Sequence, residues 1–299
     1  MTENDRTSEA EQAQQRAVVI TGASTGIGAA CVQRLARAGF HVFAGVRKEA
    51  DGAALQQQMI GQITPLLLDV TNAAQIAAAQ ATVIELVGTQ GVVGLVNNAG
   101  IAIGGPLEFL PVAELRRQME INVYGALAVT QAFLPLLRLA GGRIVNMSSI
   151  SGLAASPFLG PYAASKYALE ALSDALRLEV RPWGIAVVLI EPGNIATPIW
   201  QKGLAFADEL EAQLPPQAQT YYGPIFPFLR AMLARSRGTP PDAVAQVVEQ
   251  ALTVPQPRAR YLVGNDARLR TWLERLPTRW RDAVIASRLP NLGQARHRD

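Results

Sequence analysis

The stretch AVVITGASTGIG, Ala17 to Gly28, decides the fold. Its opening AVVIT is a short apolar run rich in β-branched residues, which reads as a strand buried on both faces. Glycines at 22, 26 and 28 follow, spaced Gly-x3-Gly-x-Gly, and then a helical stretch to Ala38. Glycines so placed let the backbone turn sharply and approach a pyrophosphate, while the next helix offers its free N–H groups and positive dipole end. A turn that only packs helix on strand would look similar; its place directly after the first strand favours a dinucleotide site.

Working outward, the same alternation repeats. Apolar runs begin at His41 (HVFAGV), Thr64 (TPLLLD), Gly94 (GLVNN), Arg143 (RIVNM), Ile185 (IAVVLIEP) and Arg260 (RYLVG). Helical stretches lie between them, including Asn72 to Val87, Val112 to Arg138 and Pro161 to Val180. Strands alternating with helices predict an α/β fold, a doubly wound parallel sheet of Rossmann-like kind. The expected organisation is a disordered tail over 1–15, a single dinucleotide-binding and catalytic domain over 16–264, and a small helical C-terminal extension over 265–299. Trp200 to Gly238 interrupts the alternation, with Pro215, Pro216 and an aromatic cluster of Tyr221, Tyr222, Phe226 and Phe228. It follows the sixth strand, where ligands bind in open α/β sheets.

Composition narrows the class. The 299 residues are 49% hydrophobic, enough for one large α/β core or at most two domains. Lys and Arg total 27 against 24 Asp and Glu, too even a balance to argue for nucleic acid. Cys31 is the one cysteine, so no internal disulfide forms, in keeping with a reducing compartment. The polar N-terminus does not resemble a signal peptide, and no uninterrupted apolar run is long enough for a membrane span. A soluble cytoplasmic protein with no metal site is expected.

Two further motifs carry chemistry. LVNNAG, Leu95 to Gly100, ends the fourth strand with small residues, and Asn97 and Asn98 can tie neighbouring loops; alone it is no more than a strand-ending turn. In YAASK, Tyr162 and Lys166 stand four apart on one helix face. An ammonium beside a phenol favours the phenolate and lowers its pKa, making Tyr162 an acid or base for neutral pH. Surface Tyr–Lys pairs are common, however. Upstream, at the end of the fifth strand, Ser149 can hydrogen-bond a substrate oxygen, and on chemistry alone Ser148 competes with it.

TGASTGIG, NNAG, Asn122, Ser149 and YAASK, in this order and spacing, resemble the short-chain dehydrogenase/reductase family over about Ala17 to Gly264. The resemblance implies a soluble NAD(P)-dependent oxidoreductase with a catalytic tetrad of Asn122, Ser149, Tyr162 and Lys166. Asn122 would position a water that links Lys166 to solvent. It also implies cofactor contacts from Gly22, Ser24, Thr25, Gly26, Ile27, Gly28, Asn98, Ala99 and Gly100. Asp69 and Val70, in LDV, match the adenine pocket. Pro192, Gly193, Ile195 and Thr197, in PGNIAT, match the segment over the nicotinamide, to which Tyr162 and Lys166 add. The nearest look, carried by VFAGVRK, PLEFLP and RPWGIAVVLIEPG, is to members acting on hydroxysteroids, retinol and similar lipophilic alcohols. A β-ketoacyl thioester reductase of the same family and a nucleotide sensor without turnover are the alternatives, the second disfavoured by the complete tetrad.

The cofactor is expected to be NADP, with NAD the alternative. A carboxylate roughly 20 residues after the glycine turn would repel a 2′-phosphate. Val46 occupies that place and Arg47 follows, a guanidinium able to grip the phosphate. Thr25, where NADP-preferring relatives often carry a base, and Glu49 work against this. The helices from Val112 to Arg138 and Pro161 to Val180 predict a homodimer or homotetramer. Leu269, Trp272, Leu273 and Leu276 form one helical stripe flanked by arginines. It is expected to pack on the domain or a partner subunit, with a peripheral membrane contact as the sharper reading.

Overall fold

The computed structural model describes residues 16–58, 60–235 and 238–290; the expected tail over 1–15 lies outside them. Seven strands form one sheet: β1 (Ala17–Ile20), β2 (His41–Val46), β3 (Gln62–Leu67), β4 (Gly94–Asn97), β5 (Arg143–Met147), β6 (Ala186–Pro192) and β7 (Arg260–Val263). Their order is β3-β2-β1-β4-β5-β6-β7, and every pair is parallel. The order reverses between β1 and β4, so a crevice opens beyond the carboxyl ends of those strands. The doubly wound parallel sheet expected from the sequence is therefore the fold.

Alternation along each strand feeds two cores. On one face Val18, Ile20, Val42 and Val96 pack with Cys31, Val32 and Leu35 of α1 (Gly26–Arg37) and with Val244 and Val248 of α10 (Pro241–Thr253). On the other, Val19, Phe43, Leu95 and Ile144 meet α3 (Ala73–Val87) and Val129, Phe133 and Leu137 of α5 (Gly125–Ala140). Each such side chain contributes about 1.5–3 kcal/mol when fully buried. Burial pushes the Cys31 thiol up to about 12, so it packs as a small apolar group.

Several boundaries differ from expectation. The third strand starts at Gln62 rather than Thr64 and ends before Leu68 and Asp69, which continue past the ladder toward the crevice. It is an edge strand, which is why Pro65 is tolerated. The run expected as one helix from Val112 is α4 (Val112–Met119), a π turn (Glu120–Tyr124) and α5. With a mean hydropathy of 1.4, Val112–Ala140 is the one helix among the described residues long and apolar enough to cross a membrane. Its Phe133 and Leu137 are fully buried among core residues of the sheet, which makes it a core helix. A helix the sequence did not signal, α2 (Glu49–Gln57), follows β2.

The interruption after β6 folds as α7 (Pro198–Gln213), α8 (Pro216–Tyr222) and α9 (Ile225–Arg235). Of its aromatic cluster, Phe226 is buried, and Tyr222 packs edge-on to Phe109 and Phe158. The C-terminal stripe is corrected. The chain turns after Leu273, so α11 (Asn265–Leu273) and α12 (Thr278–Ala286) are separate helices and Leu276 lies between them. Leu269 and Trp272 are exposed; the buried residue of α11 is Ala267.

One polar cluster joins three elements. Arg260, at the start of β7, bonds Glu170 and Asp174 of α6 (Gly160–Glu179) and Glu191 of β6, at 2.7 Å for Asp174 and 3.0 Å for Glu191. Burial pushes the Glu170 and Glu191 carboxyls up, and the Arg260 guanidinium works against that rise.

Candidate active site

The glycine turn cannot carry side chains. Gly22 has φ +63°, and a Cβ there would stand 2.8 Å from Ala99 Cα; at Gly28 it would stand 2.2 Å from the Gly22 carbonyl oxygen. Bare backbone therefore faces the crevice. Thr25, the N-cap of α1, makes no side-chain cap bond, and no acid stands in the first turn, which leaves the helix N–H groups for an anion. NNAG is tied to this turn as expected. Asn98 Nδ2 donates to the Thr21 and Gly22 carbonyls at 3.0 Å, and the Asn98 and Ala99 N–H groups donate to Thr21 Oγ1 at 3.0 Å. Asn97 turns the other way, donating at 2.9 Å to Thr130 Oγ1 and Asn146 Oδ1.

The crevice is a cleft of ≈ 430 Å³. Gly22, Ser24, Thr25, Gly26, Ile27, Arg47, Asp69, Val70, Asn98, Ala99 and Gly100 line one part, and Ser149, Tyr162, Lys166, Pro192, Gly193, Ile195 and Thr197 line another. Gly28 and Asn122 do not line it. Gly28 packs the helix against the turn, and Asn122 lies buried behind Ile101. Trp200 and Phe206 of the lining lie in the segment after the sixth strand that the sequence places near a ligand; the rest of the apolar lining, Ile101, Ala102, Ile103 and Ile199, and the polar Arg117 and Lys202 carry no motif that would signal them.

Three of the four tetrad residues converge. Ser149 lies two residues beyond the end of β5; its Oγ accepts from the Ser151 N–H at 3.1 Å and hydrogen-bonds Tyr162. Tyr162 sits in the first turn of α6, where Pro161 loses no helical bond, and its ring meets Trp200 edge-on at 5.9 Å. Lys166, one turn on, donates to the Met147 carbonyl at 2.7 Å. Asn122 occupies the π turn, and its side chain is fully engaged: Oδ1 accepts from Ile101 N–H, and Nδ2 donates to the Ile101 carbonyl and to Ser165 Oγ. Ser148 also lines the cleft, but its hydroxyl is engaged with Glu170.

The expected effect of Lys166 on Tyr162 is corrected. Burial holds the phenol above its ordinary value, and the Ser149 hydrogen bond pulls it back down only in part. Lys166 Nζ stands 5.7 Å from the ring centre, with one donor spent on Met147. Burial in turn brings the Lys166 ammonium down to about 8, against the support of the Glu170 charge. At the far end, hydrogen bonds from Thr71 and the charge of Arg47 outweigh burial and hold the Asp69 carboxyl below its usual range.

The C-terminal helices reach this site. Asp266 Oδ2 accepts from the Asn194 N–H at 2.6 Å, and Arg270 donates to the Ala155 carbonyl at 2.7 Å. A Cβ on Gly193 would stand 2.4 Å from the Asp266 carboxylate, and one on Gly264 2.6 Å.

Bare glycine backbone, an uncapped helix terminus and a buried Ser–Tyr–Lys group beyond the carboxyl ends of the central strands fit a dinucleotide. Comparison with known proteins agrees. The family profile described as short chain dehydrogenase matches residues 16–206, and the chain belongs to that family of oxidoreductases. It is 35% identical over 287 residues to the NADPH-dependent 3-dehydrocapnine reductase of Ornithobacterium rhinotracheale, covering 93% of this chain and 99% of that one. It is 37% identical over 293 residues to retinol dehydrogenase 5 of Mus musculus, covering 93% and 90%. Among solved structures, a short chain dehydrogenase from Burkholderia cenocepacia J2315 in complex with NADP aligns with a TM-score of 0.68 at 26% identity, covering 92% and 98%. The expected likeness to retinol dehydrogenases holds.

Proposed function

We propose that this chain moves a hydride between NADP(H) and the CH–OH or C=O carbon of a lipophilic alcohol or carbonyl compound, such as a hydroxysteroid or retinoid. The observation that carries the reading is one cleft, with Ser149, Tyr162 and Lys166 on its wall, bare glycine backbone to one side and apolar residues to the other. Relatives named for NADPH-dependent reduction and for retinol support it.

When bound, the nicotinamide donates or accepts the hydride. Ser149 Oγ and the Tyr162 hydroxyl hold the substrate oxygen, and Tyr162 gives or takes its proton. The raised pKa of buried Tyr162 suits an acid for carbonyl reduction. Lys166 holds the nicotinamide ribose and supplies positive charge behind Tyr162. Since the Asn122 side chain is spent on Ile101 and Ser165, the relay water rests on its backbone carbonyl, which the π turn displaces from regular helical bonding. Gly22, Ser24, Thr25, Gly26 and Ile27 cradle the pyrophosphate, Asp69 and Val70 the adenine, and Asn98, Ala99 and Gly100 the ribose side. Pro192, Gly193, Ile195 and Thr197 cover the nicotinamide. Arg47 takes the 2′-phosphate, so NADP is preferred to NAD.

Residues 16–264 form the catalytic unit, with the C-terminal helices as an appendage that braces it. Tyr124, Leu127, Tyr167 and Leu172 are exposed apolar residues on the two helices expected to pair, which supports a homodimer or homotetramer; the cytoplasm is the proposed location. Turnover of steroids, retinoids, simple ketones and long-chain hydroxy acids with each cofactor tests the activity; no turnover with any of them removes the reading.

A further inference from the structure

The walls of the cleft carry four cations, Arg47, Arg117, Lys166 and Lys202, against one carboxylate, Asp69. Two of the cations are accounted for by the reading above: Arg47 lies at the end of β2 near Asp69, and Lys166 lies behind Tyr162. Arg117 and Lys202 have no place in it. Both stand on the rim made by Ile101 to Ile103. Gln118 accepts from the Ile103 N–H at 2.7 Å and donates to the Ile101 carbonyl at 2.6 Å, which brings its neighbour Arg117 to that strip. Gly203 lies against the Ala102 carbonyl, 2.9 Å from where a Cβ would be, which brings its neighbour Lys202 there as well. The Arg117 guanidinium covers Phe206 at 5.8 Å, and Phe206 is one helical turn beyond Lys202 in α7. Arg117 is paired to Glu114 at 2.7 Å on its outer side. Among the described residues Lys202 has no ion-pair or hydrogen-bond partner, and it is exposed at the cleft mouth.

A low-dielectric cleft walled by surplus positive charge focuses a field on anions. Ile103, Trp200 and Phe206 beside it bind hydrocarbon and do nothing for a charge. We propose that the substrate is an anionic amphiphile: an apolar body on Ile103, Trp200 and Phe206, and a carboxylate or similar acidic head on Lys202, with Arg117 as second cation. The proposal rests on the oxidoreductase reading for the reacting carbon, and it narrows the substrate class from lipophilic compounds in general to those with an acidic head.

The test compares 3-hydroxydodecanoate with its methyl ester, which differ by one charge at nearly constant apolar area. Calorimetric titration with NADP⁺ present measures binding, and NADP⁺ reduction measures turnover, for the wild type and for Lys202→Gln and Arg117→Gln. The expected result is binding of the acid at least about tenfold tighter than the ester, as for one charge-assisted hydrogen bond. That ratio falls about tenfold in Lys202→Gln, and turnover shows the loss as a higher KM for the acid with kcat little changed. Equal binding of acid and ester to the wild type, or an unchanged ratio in Lys202→Gln, overturns the proposal. So does a Lys202→Gln effect confined to KM for NADP⁺, which would assign the lysine to the cofactor. Charge-selective binding without turnover would leave the anion site standing and count instead against the oxidoreductase reading.

Discussion

The Asp266 carboxylate accepts a hydrogen bond from the backbone N–H of Asn194 at 2.6 Å, across 72 residues of sequence. It lies in a recess that only glycine at 193 and 264 leaves open. Helix α11 thereby fixes the loop proposed to cover the nicotinamide. Asp266→Ala is expected to raise KM for NADP(H) about tenfold with a smaller change in kcat, the size of one charge-assisted bond. Asp266→Asn keeps an acceptor and restores most of the loss. If Ala and Asn variants share the wild-type KM, the carboxylate does not position the loop.

Tyr162→Phe keeps the ring against Trp200 and removes the one hydroxyl that both bonds Ser149 and faces the cleft. Loss of a general acid–base group lowers kcat by about 10²- to 10⁴-fold. Cofactor affinity, followed by protein fluorescence quenching, stays near the wild-type value. Near-normal kcat in the Phe variant would rule out Tyr162 as the proton donor.

Arg47 is exposed at the end of β2, on the cleft wall. Arg47→Ala is expected to reduce the NADP:NAD ratio of kcat/KM by about 10- to 100-fold, the worth of one strong charge-assisted hydrogen bond. A wild type that prefers NAD, or a ratio that does not move, refutes the assignment.

Lys166 supplies the pH dependence. Its folded value of about 8 lies below the ordinary 10.5, so the charge is present below about pH 8 and is lost as pH rises through it. The free enzyme's kcat/KM for reduction should therefore decline on the alkaline side of about pH 8. Glu170 is the influence that raises the Lys166 value, so Glu170→Gln moves this limb toward lower pH. A limb that stays in place in Glu170→Gln would disconnect the two residues.

Much of this was legible in the sequence because the motifs are local. TGASTGIG, NNAG and YAASK each specify one turn or one helix face, and the alternation of short apolar runs with helical stretches marks the strands and helices they hang from. What escaped was non-local. Asp266 and Arg270 reach residues 72 and 115 positions away, and no periodicity signals such a partner. The stripe Leu269 to Leu276 misled because its spacing says only that the residues share a face if the helix continues, and the chain turns after Leu273. The Tyr162–Lys166 spacing was read rightly as proximity. The sign of the shift depended on burial, which one sequence does not display.

The Arg260 cluster sets an order of events during synthesis. Glu170 and Glu191 are each placed in the interior by elements that emerge before β7, yet their shared countercharge arrives 69 residues after Glu191, on that strand. A nascent chain that has not reached Arg260 holds two carboxylates with no cation between them, and burying unpaired charge is costly. β6 and α6 thus cannot settle against each other while their carboxylates remain ionised. The active-site wall carried by these two elements should close only after β7 has been made and left the ribosome.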